Sequence, residues 1–217
     1  LPSFELDPDR ERLVVQVLNM LRGDGPRAIW LHGPPGIGKT RLVLEALLMA
    51  KSQHGRVCVA SREPIGADAL ERYDLVAKMP EVALVIDECP ASRVHALYSM
   101  FSAAVDAQSA PTSRACLILI GPPGEARVSE SVREVALGPL GDLALRRMIE
   151  SELLDAPVEN VNTILRLSEG YPWYAVLLAR ELRRGGRTLR SRCIPTPSAR
   201  PRHDLLAHVH GDLAALH

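Results

Sequence analysis

The segment Gly33-Pro34-Pro35-Gly36-Ile37-Gly38-Lys39-Thr40 fits the pattern G-x-x-x-x-G-K-[ST] at every position. Its glycines let the backbone curl so that successive N–H groups face an anion. A helix that follows directly turns its positive dipole end toward the same point. Lys39 is then placed to reach β- and γ-phosphates, and Thr40 offers a hydroxyl to Mg²⁺, a hard cation that takes oxygen ligands. At average residue frequencies the pattern arises by chance on the order of once per hundred chains of this size. The surroundings lower those odds. Ala28 to His32 is a short apolar run ahead of the loop, and Thr40 to Ala50 resumes helical spacing with Leu42, Val43, Ala46 and Leu47 along one side. The nucleotide-binding set read from this segment is Gly33, Pro34, Pro35, Gly36, Ile37, Gly38, Lys39 and Thr40, with Arg41 beside them on the helix.

A second constellation completes the chemistry. Val82-Ala83-Leu84-Val85-Ile86 is wholly apolar and stops at Asp87-Glu88, which puts two carboxylates at the carboxyl edge of a sheet, where ligands bind. With Thr40, Asp87 is the expected metal-holding group. Glu88 is the expected base for the attacking water, and Lys39 the other catalytic group. A strand ending in two acids is weak on its own, because many strands end in a polar turn. Beside a complete phosphate loop it argues for hydrolysis over mere nucleotide holding, which needs no base.

Along the chain, Leu13, Val14, Val17, Leu18 and Leu21 follow helical spacing until Gly23 to Pro26 breaks it. Strand candidates besides Ala28–His32 and Val82–Asp87 are Arg56 to Ala60, Cys116 to Ile120 and Glu134 to Leu137, separated by helical or turn-rich stretches. That alternation predicts an α/β fold with a parallel sheet covered by helices. After Pro139 the pattern is helical only, over Asp142–Leu154, Val158–Ser168 and Trp173–Arg184, broken by Pro157 and by Gly170-Tyr171-Pro172. The expected division is a nucleotide-binding core over 1–139, a small helical lid over 140–186, and a linker with the start of a further segment over 187–217.

Composition excludes more than it assigns. Of 217 residues 47% are hydrophobic, enough to fill a core. The 26 basic and 26 acidic residues balance, so net charge gives no argument for a polyanionic partner. Eight arginines from Arg180 to Arg202 crowd the C-terminal part and offer a possible contact for nucleic acid or an acidic protein, though a solvated helix end running into a linker explains them as well. Four dispersed cysteines without a CxxC pair suggest neither zinc nor disulfides. No apolar run approaches the ~20 residues of a membrane span, and the start lacks a signal-peptide pattern. The expectation is a cytoplasmic protein. The chain begins at Leu1, and Leu205 to Leu216 has little left to pack against, as expected of a piece of a longer protein.

The pairing of GPPGIGKT with a strand ending VIDE resembles the AAA+ and STAND groups of P-loop ATPases. That resemblance implies a three-layer core with strand order 5-1-4-3-2, followed by a helical lid, with ATP and Mg²⁺ as cofactors. It extends to Asp9-Arg10-Glu11-Arg12, similar to the arginine-glutamate segment before the first helix of these families, and so implies Arg10 at the nucleotide. Leu140 to Ala144 is similar to the segment that opens their lid. Glu169-Gly170-Tyr171-Pro172 resembles their G-x-P element and implies a nucleotide contact for Pro172, although proline at the first position of a helix needs no ligand. One departure stands out. Where AAA+ proteins place a polar sensor after the fourth strand, this chain reads Ile120-Gly121-Pro122-Pro123-Gly124, with no side chain to polarise a water. Arg127 and Arg133 are nearby candidates to answer the γ-phosphate, but as surface arginines they need no such role. His32 reads as a packed or edge residue.

Three functions are open at this point. The first is a STAND-like switch in which ATP closes the lid and promotes self-association or assembly with other domains of a longer chain. The second is an AAA+ ATPase acting on DNA in replication initiation or transposition. The third is a regulatory module that holds nucleotide without turnover, which the missing sensor favours and Glu88 opposes. A small-molecule kinase fits less well, because the lid follows the core instead of being inserted in it. ATP is favoured over GTP by the resemblance and by the lack of an N/T-K-x-D segment.

Overall fold

The computed structural model describes residues 6–23, 25–54, 57–61, 82–107, 115–124, 130–154 and 156–185. The expectations for the linker and tail beyond 185 and for Arg127 lie outside them.

The first helix, α1 (Pro8–Arg22), carries its start and stop signals in sequence. Asp7 caps it by accepting from the Arg10 N–H, Pro8 occupies the first turn, and Gly23 ends it in the left-handed region with its N–H donating to the carbonyls of Asn19 and Met20. Leu13, Val14, Val17, Leu18 and Leu21 are buried, as their spacing predicts.

Five strands follow: β1 (Ala28–His32), β2 (Val57–Ser61), β3 (Val82–Ile86), β4 (Cys116–Gly121) and β5 (Val132–Ala136). All pairings are parallel, in the order β2-β3-β4-β1-β5. Read from the other edge this is 5-1-4-3-2, the order the resemblance implies. Helices α2 (Lys39–His54) and α3 (Ala91–Asp106) serve opposite faces. Ile29, Leu31, Val85, Ile118 and Ile120 share a core with α1 and α2. Trp30, Leu84, Ile86, Leu117 and Leu119 share the other with Val94, Leu97, Phe101 and Val105 of α3. Successive strand residues thus go to alternate faces, and because both faces are covered the central strands read as unbroken apolar runs.

Several boundaries shift by one or two residues from the sequence expectation, and two of the shifts, in β5 and β4, bear on the site. β5 runs Val132–Ala136 instead of Glu134–Leu137. As an edge strand it exposes Arg133, Glu134 and Ala136, so its apolar signal is thin. β4 continues to Gly121, which pairs with His32; glycine there reads as a turn but is the last ladder residue.

Three helices complete the described chain: α4 (Asp142–Glu152), α5 (Val158–Ser168) and α6 (Pro172–Gly185). They pack around a cluster of their own, centred on Leu145, Ile149, Ile164, Ala175 and Leu178. The junction between sheet and helices is pinned where the Leu140 N–H donates to the Gly170 carbonyl at 2.8 Å. Among the described residues no helix is long and apolar enough to cross a membrane.

Candidate functional site

The loop between β1 and α2 curls at Gly36 (φ 79°) and Gly38 (φ 95°), a left-handed conformation that side chains with a Cβ resist. Five of its carbonyls accept hydrogen bonds. Lys39 Nζ donates to Gly33 O at 2.7 Å and Pro34 O at 2.8 Å. The Trp173 N–H donates to Gly36 O at 3.3 Å and the Leu42 N–H to Gly38 O at 3.0 Å. An Arg10 guanidinium N–H donates to Ile37 O at 3.1 Å.

In a trans peptide the C=O and the following N–H point opposite ways. Fixing the carbonyls of Gly36, Ile37 and Gly38 outward therefore aims the N–H groups of Ile37, Gly38 and Lys39 inward, and these three have no hydrogen-bond partner among the described residues. The two carbonyls that Lys39 holds precede Pro34 and Pro35, whose nitrogens carry no hydrogen. Lys39 can therefore turn to an anion without releasing any aimed N–H. Burial pushes the Lys39 ammonium below its ordinary pKa, and the Asp87 carboxylate offsets part of that effect. A half-buried cation facing unpaired N–H groups is a setting for a polyanion.

At the edge of β3, Asp87 Oδ2 accepts from Thr40 Oγ1 at 2.9 Å, and Asp87 Oδ1 accepts from the Glu88 N–H at 2.8 Å. One hydroxyl and one carboxylate, side by side next to the loop, suit Mg²⁺, which completes its shell with phosphate oxygens and water. Glu88 is exposed and has φ 59°, a left-handed value unusual for a non-glycine residue. Strain of this kind is retained where the surrounding structure enforces it, and here the next residue is anchored: the Cys89 N–H donates to Ile120 O at 2.7 Å. Cys89 itself is buried, and burial pushes its thiol up to about 11, with Arg93 opposing.

That anchor also accounts for the missing polar sensor. A Cβ at Gly121 would lie 2.0 Å from Cys89 O and 3.3 Å from Trp30 Nε1. The turn carrying Asp87 and Glu88 crosses the end of β4 so closely that no side chain fits there.

The other expected residues fall around this centre. Arg10 sits behind the loop, 4% exposed, with its guanidinium committed to Asp7 Oδ2 at 2.7 Å and to the carbonyls of Ile37 and Gly138. Pro172 opens α6 over the loop, with its ring 4.0 Å from where a Gly38 Cβ would stand, and Trp173 lies against Gly36. Arg41 pairs with Glu45 one turn along α2. Arg133 is exposed on β5. His32 stacks on Trp30 at 4.4 Å, and its Nε2 lies 3.0 Å from Glu134 Oε1, though neither ring nitrogen is aligned for a hydrogen bond. Sequence reading missed Asp7 and the Trp173 N–H. Asp-Pro ahead of a helical pattern could have revealed the first as a cap; no sequence signal marks the second, which is a backbone contact across 137 positions.

Solved structures share this architecture. The Thermotoga maritima RuvB Holliday junction branch migration motor superposes with a TM-score of 0.57 at 19% identity, over 83% of this chain and 63% of that one. C. elegans PCH-2 gives 0.58 at 17%, over 85% and 64%. Rhizobiales Trip13 gives 0.54 at 14%, over 92% and 91%. The fold is that of the AAA+ P-loop ATPases. The chain thus spans under two thirds of the RuvB and PCH-2 chains. No protein-family model and no curated protein matches it in sequence. Within the AAA+ fold the loop of 33–40 and the Asp87-Glu88 turn meet at the carboxyl edge of the sheet, while α4 to α6 follow the core and reach back over the loop through Pro172 and Trp173.

Proposed function

We propose that the chain is an ATP-binding and ATP-hydrolysing module, with residues 1–139 as its core and 140–186 as a lid. The observation that carries the reading is the loop itself: three N–H groups aimed inward, a desolvated lysine beside them, and the Thr40–Asp87 pair at its rim. The N–H groups of Ile37, Gly38 and Lys39 bind phosphate oxygens, and the Lys39 ammonium turns from Gly33 O and Pro34 O to the β- and γ-phosphates. Thr40 and Asp87 would hold Mg²⁺, which would supply positive charge to offset that of the phosphates. The Glu88 carboxylate takes the proton of a water as its oxygen attacks the γ-phosphorus, the bond to the β-phosphate oxygen breaks, and ADP leaves. Pro172, over Gly38, is placed for the lid to register what occupies the loop.

A STAND-like switch, in which the nucleotide state governs lid position and assembly, accords with the contact of Pro172 and Trp173 on the loop. A module that holds nucleotide without turnover is the second reading, favoured by the exclusion of any side chain at Gly121. Action on DNA has the likeness to RuvB, which is one of fold, as its support; stimulation of hydrolysis by duplex DNA would be its test.

Lys39→Ala is expected to weaken Mg-ATP binding by about 10- to 100-fold, the loss of a charge-assisted hydrogen bond of about 1.5–3 kcal/mol. Titration calorimetry of native and variant protein reads this directly. Equal affinities would remove the loop from the account.

A further inference from the structure

Arg10 is a charged side chain that the protein buries almost completely, and burial of a guanidinium is costly unless every donor finds a partner. Its partners come from three places in the chain. One terminal nitrogen donates to Asp7 Oδ2 at 2.7 Å; the other is shared between Ile37 O in the phosphate loop and Gly138 O at the end of the core, each at 3.1 Å. Asp7 extends the knot. Its Oδ1 caps α1 by accepting from the Arg10 N–H at 2.9 Å, and its Oδ2 also accepts from the N–H of Gly141, the N-cap of α4, at 3.2 Å. Burial works against the Asp7 charge, but the N–H groups of Arg10 and Gly141 and the guanidinium outweigh it and hold the carboxyl below its usual range. Asp7 therefore stays ionised at neutral pH.

We propose that the Asp7–Arg10 pair is a positioning device that fixes the Ile37 carbonyl outward, so aiming the Gly38 N–H at the phosphate, and that ties this peptide to the Gly138–Gly141 segment leading into α4. The pair touches no nucleotide. It acts through the backbone at both ends, so a shift of the Ile37–Gly38 peptide on phosphate binding is felt at Gly138 through one rigid fork, and a movement of α4 is felt in the loop. The fork geometry requires arginine: a lysine ammonium at the same site is a point donor that cannot span Asp7, Ile37 O and Gly138 O together. The inference rests on the reading of the loop as an ATP site.

The test uses the whole chain with Mg-ATP as probe and two readouts, affinity by calorimetry and amide exchange over 33–42 and 138–145. In the native protein ATP is expected to slow exchange in both segments. Arg10→Lys, which keeps charge and most of the bulk, is expected to bind ATP about tenfold more weakly and to lose the protection at 138–145. Asp7→Asn leaves Arg10 in place and keeps a capping oxygen; it is expected to change both readouts in the same direction, with an affinity loss of about threefold. It serves if Arg10→Lys does not fold. A folded variant of either kind that binds ATP as tightly as the native chain and transmits protection to 138–145 overturns the proposal. Failure of the native chain itself to bind ATP would instead sink the reading of the loop, which keeps the two outcomes apart.

Discussion

Glu88→Gln is expected to lower ATP turnover by about 10²- to 10⁴-fold while leaving ATP affinity within about threefold of native. The substitution is nearly isosteric and removes only the ability to take a proton. Glu88 stands at the end of a buried strand with φ 59°, and its N–H is spent on Asp87 Oδ1, so its backbone is fixed by neighbours and not by its own side chain. A left-handed conformation costs a residue with a Cβ about 1–2 kcal/mol. Glu88→Gly should therefore lose turnover to the same extent and yet gain about 1 kcal/mol of stability, visible as a raised thermal midpoint. Loss of activity with gain of stability is the signature of strain kept for function. If Glu88→Gln turns over ATP at the native rate, Glu88 is not the base and another group takes the proton of the attacking water.

Gly121→Ser restores a polar side chain where AAA+ proteins carry their sensor, and it is expected to damage the protein. The new Cβ would stand 2.0 Å from Cys89 O, an approach that only backbone movement can relieve. That movement must break the 2.7 Å bond from the Cys89 N–H to Ile120 O or push the fully buried Trp30 from its site. Overpacking of this kind costs about 1–3 kcal/mol, and a broken buried hydrogen bond adds about 1–3 kcal/mol. The denaturation midpoint should fall accordingly, and ATP turnover should fall with it, because Asp87 and Glu88 ride on the same turn. A variant with native stability and faster hydrolysis would mean that the turn can retreat and that the sensor was merely lost.

Much of this arrangement was legible in the sequence because its signals are local. Gly33 to Thr40 sets a loop, a lysine and a hydroxyl within eight residues, and a strand ending in Asp87-Glu88 places its acids by strand direction alone. Strand order followed from resemblance, not from periodicity, since parallel pairing leaves no local mark. What escaped is what depends on distant approach. Arg10 is read from sequence as a residue at the nucleotide, yet its guanidinium lies behind the loop, because its acceptors are 27 and 128 positions away. Gly121 reads as the start of a turn, and only the crossing of Cys89 over β4 explains why that position must lack a side chain. The Trp173 backbone N–H on Gly36 O belongs to tertiary packing of α6 on the loop.

The central claim is that this loop binds ATP with magnesium and that the adjacent carboxylate turns it over. The most direct measurement is Mg²⁺-dependent phosphate release by the native chain across a protein concentration series, with ATP binding followed on the same samples. The account predicts saturable ATP binding that Mg²⁺ strengthens, and phosphate release that disappears on chelation, with a rate per subunit that rises with concentration if assembly completes the site. Absence of ATP binding at millimolar nucleotide, with the protein folded, would contradict it.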